Sequence, residues 1–258
     1  MSSIEIVELD KGNEFPFHGL ARRSLRALRS GFINEKCDFM PKKYRDPFEP
    51  EQHYHIYHRV VSGERLFHNG SDYLDFLERY KKYLQPFFNT WAYCLIPNHY
   101  HFLVKVKSME ELLLKSKVEK TNASKQFIEG KKSFSFFIEN QLSRMLSGIA
   151  LRYNKKHKRN GPLFEQGIKR VCITSEQRIA YQIAYIHHNP IHHGISNSFD
   201  EWVYSSYNTF VNSGKTNVSV KEVLAFLGGM DTFHWIHKEY RLDTQKSEFY
   251  EDLSVKDR

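Results

Sequence analysis

The sequence contains no run of about 18 apolar residues, so no part of it reads as a membrane span. Met1 to Asp10 is mixed polar and acidic and lacks the apolar core of a secretory signal, which makes the cytoplasm the expected location. Cysteine is scarce. Cys37, Cys94 and Cys172 lie far apart and form no CxxC pair, which argues against a disulfide framework or a zinc ribbon and leaves three reduced, small apolar residues. Carboxylates are in short supply in one region. The whole chain carries 38 Lys and Arg against 30 Asp and Glu, a net of +8. Between Glu111 and Arg170 the ratio is 14 to 5, a net of +9, so this region alone exceeds the excess of the chain. Basic charge concentrated in this way points to a polyanionic partner. At 258 residues the chain is long enough for one large domain with tails.

The first 50 residues hold a basic segment, Arg22 to Arg29, and then Pro41, Pro47 and Pro50, and they read as an extension with one short helix at most. From His53 the residues alternate, Tyr54, Ile56 and Val60 on one face and His55, Tyr57 and Arg59 on the other, which predicts a first strand. Tyr73, Phe76, Leu77, Tyr80 and Leu84 repeat at helical spacing after a cap at Ser71, and Pro86 ends that helix. Trp91 to Pro97 predicts a second strand, joined by a tight turn at Pro97-Asn98 to a third. Residues 108 to 133 are polar and weakly patterned and read as a long loop. Phe134 to Tyr153 is the clearest helix, running into the basic knot Asn154 to Asn160 before Gly161-Pro162. Ile168 to Ile173 predicts a fourth strand, and a last helix starts at Ser175 and ends near Asn189-Pro190. The order is strand, helix, strand, strand, helix, strand, extra helix. That is an α+β, ferredoxin-like split βαβ arrangement, with a central antiparallel sheet whose first and third strands lie in the middle. The expected division is an N-terminal extension over 1–50, one domain over 51–212, and a C-terminal extension over 213–258.

The third strand, within Leu95 to Lys105, carries the chemistry. Alternation puts Tyr100, Phe102, Val104 and Val106 on one face and His99, His101 and Leu103 on the other. Two imidazoles two residues apart on a strand have Cβ atoms roughly 6.5 to 7 Å apart, within reach of one divalent ion. On the extra helix Tyr185 and Asn189 are four apart and share a face, so an Asn189 amide oxygen can serve as a third ligand with the Tyr185 hydroxyl beside the ion. A phenol with a pKa near 10 is a poor nucleophile, and attack on phosphorus needs a Lewis acid on the phosphate. Tyr181, one turn earlier, is a rival nucleophile. His187, His188, His192 and His193 can compete for softer metals, but as residues at a helix C-terminus they read as exposed histidines favoured by the dipole.

Asn98-His-Tyr-His101 resembles the histidine-hydrophobic-histidine motif of the HUH single-strand DNA endonucleases, and Tyr185-Ile-His-His-Asn-Pro190 resembles the tyrosine motif of single-tyrosine transposases. Tyr54-His-Ile-Tyr-His-Arg59, Gly161-Pro-Leu-Phe164 and Trp202-Val-Tyr-Ser-Ser-Tyr207 are similar to segments of the REP-associated tyrosine transposases, and the likeness spans about residues 50 to 212. The resemblance implies that Tyr185 attacks a DNA phosphodiester to give a 5′-phosphotyrosine and a free 3′-hydroxyl. It further implies Mg²⁺ or Mn²⁺ on His99, His101 and Asn189, with single-stranded or hairpin DNA as substrate. The chain departs from the family around Asn189-Pro190, where small or apolar residues and an arginine are usual and this chain has four histidines. Lys155, Lys156, Lys158 and Arg159 in the knot, with Lys169 and Arg170 on the fourth strand, are the expected DNA-binding residues, and a monomer or homodimer is expected. A catalytically inactive nucleic-acid-binding regulator of the same fold is the alternative, and a small metalloenzyme or metal-storage protein is a third reading that leaves the basic region unexplained.

Overall fold

The computed structural model describes residues 45–61, 63–212 and 216–246. The basic segment Arg22 to Arg29 and the site of Cys37 lie outside the described residues. The element order is β1 (His53–Arg59), α1 (Gly70–Tyr83), β2 (Phe88–Ile96), β3 (His99–Val106), α2 (Met109–Ser116), α3 (Asn122–Ile128), α4 (Phe134–Lys156), β4 (Lys169–Ile173), α5 (Glu176–His192), α6 (Tyr207–Val211), α7 (Val220–Leu227) and α8 (Met230–Lys246). The strands form one sheet in the order β2-β3-β1-β4, with every neighbouring pair antiparallel. This is the α+β, ferredoxin-like arrangement that the alternation and helix spacing predict, with β1 and β3 central. Among the described residues no helix is long and apolar enough to cross a membrane.

Strand alternation divides the interior into two layers. Tyr54, Ile56, Val60, Tyr100, Phe102, Val104 and Val106 point to one face and pack with Phe76 and Tyr80 of α1 and Phe137, Leu142 and Met145 of α4. Trp91, Ala92, Cys94, Ile96 and Leu103 point to the other, where Ile179, Ala180, Ile183, Ala184 and Ile186 of α5 cover them. Ala180 and Ala184 are fully buried, and side chains this small let the helix backbone come close to the sheet. Val223 and Leu227 of α7 and Phe233, Ile236 and Tyr240 of α8 close this second layer behind α5. Part of the stretch read from the sequence as a C-terminal extension, between Val218 and Tyr240, thus packs into this layer.

Three local expectations are corrected. Residues 108–133, expected as loop, hold α2 and α3. Ser108 accepts from the Glu111 backbone while the Glu111 carboxylate accepts from the Ser108 backbone, Thr121 and Ser124 make the equivalent box for α3, and Leu112 and Phe127 reach the core. These caps are local signals, but each helix is too short to show a periodic stripe. The cap of α1 is Asn69, not Ser71, because its Oδ1 accepts from the backbones of both Ser71 and Asp72. Finally, α5 runs through Pro190 to His192. A proline removes one amide donor, a loss confined to the last turn here, and the helix still closes by the bond from His193 N to Asn189 O at 3.0 Å.

Both sheet edges are covered. Along β2 the backbone of Leu95 donates to Tyr204 O (3.0 Å), the Trp202 indole donates to Leu95 O (2.8 Å), and Thr90 bridges to Val218. At the other edge Arg45 bridges to Arg170 of β4. The two outlying motifs of the sequence are therefore seen as braces. Trp202 to Tyr207 ties down β2, while Leu163 and Phe164 dock on the end of β1 through Val61 N to Leu163 O (2.9 Å) and a stacked His58–Phe164 pair.

Candidate metal and nucleophile site

The α5 face of the sheet gathers the histidines. Register places Tyr57 opposite His101 and Arg59 opposite His99, so alternation brings His55, Tyr57 and Arg59 of β1 beside the two histidines of β3. The His99 and His101 ring centroids are 5.0 Å apart. The Tyr57 ring stacks at 4.7 Å on His55, and His55 stacks at 5.1 Å on His101. From the helix side the half-buried Tyr185 ring meets His101 edge-on at 5.7 Å and His55 at 5.9 Å. Asn189, one turn on, is buried, and its amide donates to Tyr185 O at 3.0 Å, which fixes its side chain along the helix. Tyr181 instead packs its ring on Tyr240 at 4.9 Å. His99, His101, Tyr185 and Asn189, the set that the family resemblance implies, thus lie close together.

The nitrogen partners define what these rings can do. His99 Nδ1 lies 2.8 Å from Asn98 Oδ1, an oxygen that only accepts, so Nδ1 carries the proton and Nε2 keeps its lone pair. His101 Nδ1 lies 2.9 Å from His55 Nε2. The Nε2 atoms of both His99 and His101 are buried with no hydrogen-bond partner. Burial holds both rings neutral, well below the usual imidazole range, with further lowering from neighbouring histidines and from Arg59. Burial likewise pushes the Tyr185 hydroxyl up to about 12, against which a hydrogen bond from the Asn189 side chain and the charge of Arg59 both act. Among the described residues no group of three or more His, Cys, Asp or Glu can hold a metal ion. The donor set that does converge is two neutral imidazoles and one amide, and its two orphaned lone pairs fit a divalent ion.

The six expected DNA-binding cations separate. Lys169 sits opposite Tyr57 on the histidine face, its Nζ 5.8 Å from the Tyr57 ring. Arg170 points the other way and is buried: its guanidinium pairs with Glu139, donates to Asp46 O and lies over Phe48 at 4.9 Å. In the knot Lys156 pairs with Asp72 (2.6 Å) and Arg159 with Glu64 (3.1 Å), while Lys155 and Lys158 are exposed. Lys158 adopts the left-handed conformation (φ 50°) that turns the chain out of α4, a position where glycine is usual.

Of the α5 histidines expected at the surface, His192 and His193 are exposed, and the His193 ring approaches His99 at 5.0 Å. His187 and His188 are buried, which corrects that expectation. The reason is the C-terminal helix. His237 Nδ1 donates to Phe233 O (2.7 Å), which leaves Nε2 to accept from His187 Nδ1 (2.8 Å), and His187 Nε2 then pairs with Ser206 Oγ (2.7 Å). Each nitrogen in this chain has a partner, so the pair ties α8, α5 and the β2 brace together. Arg59 and His55 are the site neighbours that the motif reading did not single out. The signal was present, because the alternation of β1 already placed them on the face that a ferredoxin-like order sets beside His99 and His101.

No family model matches the chain. It is similar to a Haemophilus influenzae protein named "Putative REP-associated tyrosine transposase", 22% identical over 158 residues that cover 60% of this chain and 80% of that one. It also aligns with a solved structure of a REP-associated tyrosine transposase bound to a REP hairpin, at 13% identity and a TM-score of 0.44, over 69% of this chain and 96% of that chain. The class indicated by the site's residues and the relative found by comparison are the same: the chain resembles the REP-associated tyrosine transposases.

Proposed function

We propose that this protein is a metal-dependent DNA nickase and strand-joining transposase that acts on single-stranded or hairpin DNA of the REP-like, palindromic kind. The observation that carries this reading is the Tyr185 ring set edge-on to His101 at 5.7 Å, beside two buried imidazole nitrogens with no partner. In the reaction Tyr185 Oη attacks phosphorus, the bond to the 3′-oxygen breaks, and the products are a 5′-phosphotyrosine and a 3′-hydroxyl that takes up the proton. Attack by that hydroxyl on the phosphotyrosine reverses the sequence and rejoins a strand. His99, His101 and Asn189 would hold Mg²⁺ or Mn²⁺, which when bound supplies Lewis-acid polarisation of the phosphate. The bond from the Asn189 amide to the Tyr185 backbone carbonyl holds Asn189 along the same helix face, and Arg59 and Lys169 bring positive charge to the rim of the sheet face, where a phosphate must approach.

The metal is tested directly. Cleavage of labelled single-stranded DNA carrying a REP-like hairpin should stop with EDTA and return with Mn²⁺. His99→Ala and His101→Ala should each reduce cleavage by at least about 100-fold, because each removes a ligand rather than a group supporting one. Full metal-dependent cleavage by either variant would sink the site.

The basic knot contributes less than its composition promises. Phosphate contacts on single strands give a log-log salt slope of about −0.7 each, so four independent cations would contribute nearly 3 units. Lys156 and Arg159 are already paired with carboxylates, so replacing Lys155, Lys156, Lys158 and Arg159 by Ala should flatten the slope by about 1.4 units, the share of Lys155 and Lys158. DNA affinity across a salt series reads this, and an unaltered slope would remove the knot from the interface.

A further inference from the structure

Resting on the metal reading of the same site, we infer that His55 is a positioning residue, whose Nε2 accepts the Nδ1 proton of His101 and so leaves His101 Nε2 as a bare lone pair aimed at the divalent ion. The contact is 2.9 Å between two rings that are each 4% exposed. Two tautomer assignments satisfy that distance. In one His101 donates; in the other His55 donates and His101 carries its proton on Nε2. The second leaves a buried N–H with no acceptor, since His101 Nε2 has no partner. An orphaned buried donor is the rarer and costlier defect, whereas an orphaned imidazole lone pair is what a cation fills. His99 gives the same answer independently: its Nδ1 faces an amide oxygen, so its Nε2 is bare too. The two ligands are then held alike, one by Asn98 from the turn that precedes its strand and one by His55 from the neighbouring strand. Tyr57, stacked on His55 at 4.7 Å and on His101 at 5.7 Å, keeps the pair of rings in register. Supports of this sort set ring orientation and ligand basicity, and their loss weakens metal affinity by about 10 to 100-fold.

The experiment uses the full chain and two readouts. Long-range ¹H–¹⁵N spectra of the metal-free, histidine-labelled wild type should show His101 protonated at Nδ1, a measurement that needs no variant. Mn²⁺ titration followed by electron paramagnetic resonance should show binding weakened about 10 to 100-fold in His55→Phe, which fills the space without an acceptor. In His55→Gln, whose amide oxygen reaches the place of Nε2, binding should return to within about threefold of wild type. Circular dichroism and a thermal melt establish that each variant is folded. A wild-type His101 protonated at Nε2, or a folded His55→Phe that binds Mn²⁺ as tightly as wild type, overturns the role of His55. A wild type with His101 protonated at Nδ1 that binds no Mn²⁺ overturns the metal reading instead, and with it the purpose given to His55.

Discussion

Tyr185→Phe should abolish the covalent protein-DNA adduct and lower nicking by at least about 10⁴-fold, the scale on which removal of a nucleophile acts, while DNA affinity stays within a few-fold of wild type. The separation is expected because the substitution deletes one hydroxyl and keeps the ring, and the ring is what packs against His101 and His55. Tyr181→Phe serves as the internal control. Its ring lies against Tyr240, so that variant should retain the adduct. Adducts are read by denaturing gels with a labelled oligonucleotide. If Tyr181→Phe loses the adduct and Tyr185→Phe keeps it, the nucleophile is misassigned. If the wild type binds hairpins and none of the three forms an adduct, the chain is a binding regulator that keeps the fold without the chemistry.

Acid should unfold this protein early. Burial holds His237 down at about 3 and His187 well below the usual value, whereas in the unfolded chain both titrate near 6.5. The folded state therefore binds fewer protons than the unfolded state between those limits. Stability is complete above about pH 6.5 and falls as pH drops toward the folded-state values, by up to about 1.4 kcal/mol per pH unit for each histidine. His58, lowered to about 4 by burial, adds to the same trend. Against a total stability of about 5 to 15 kcal/mol, two such groups alone account for much of it within roughly two to three pH units. Urea midpoints at pH 7.5, 6.5, 5.5 and 4.5 in EDTA check this. Midpoints that stay level from 7.5 to 5.5 would mean that the buried histidines are protonated in the native state.

The parts of this molecule that follow local rules were legible in the sequence. β1 and β3 alternate cleanly because both faces of each strand meet a different layer, and α4 shows its stripe because it is long and lies on one layer only. From these the sheet order followed, whereas the association of Tyr185 and Asn189 with His99 and His101 came from the resemblance of the motifs. What escaped was decided by partners distant in sequence. His187 looks like a solvent-facing helix-end residue until α8, some 50 positions later, covers it. Arg170 looks like a DNA contact until Glu139 and Asp46 receive its guanidinium. The charge balance of Glu111 to Arg170 was correct as a sum, yet it did not reveal that Asp72 and Glu64, from outside the region, neutralise part of the knot.

The buried chain from His237 through His187 to Ser206 lies at the level of α5 between Tyr185 and Asn189. Its consequence is mechanical. A tyrosine on a free helix could swing away with a covalently attached strand, but the helix that carries Tyr185 is pinned to both the sheet edge and α8. If Tyr185 carries a strand as proposed, the load of that strand falls on the side-chain torsions of Tyr185 and on the DNA. On the proposed chemistry a severed strand stays tethered beside the imidazoles that assisted the cut, poised to be resealed by whichever 3′-hydroxyl reaches it first.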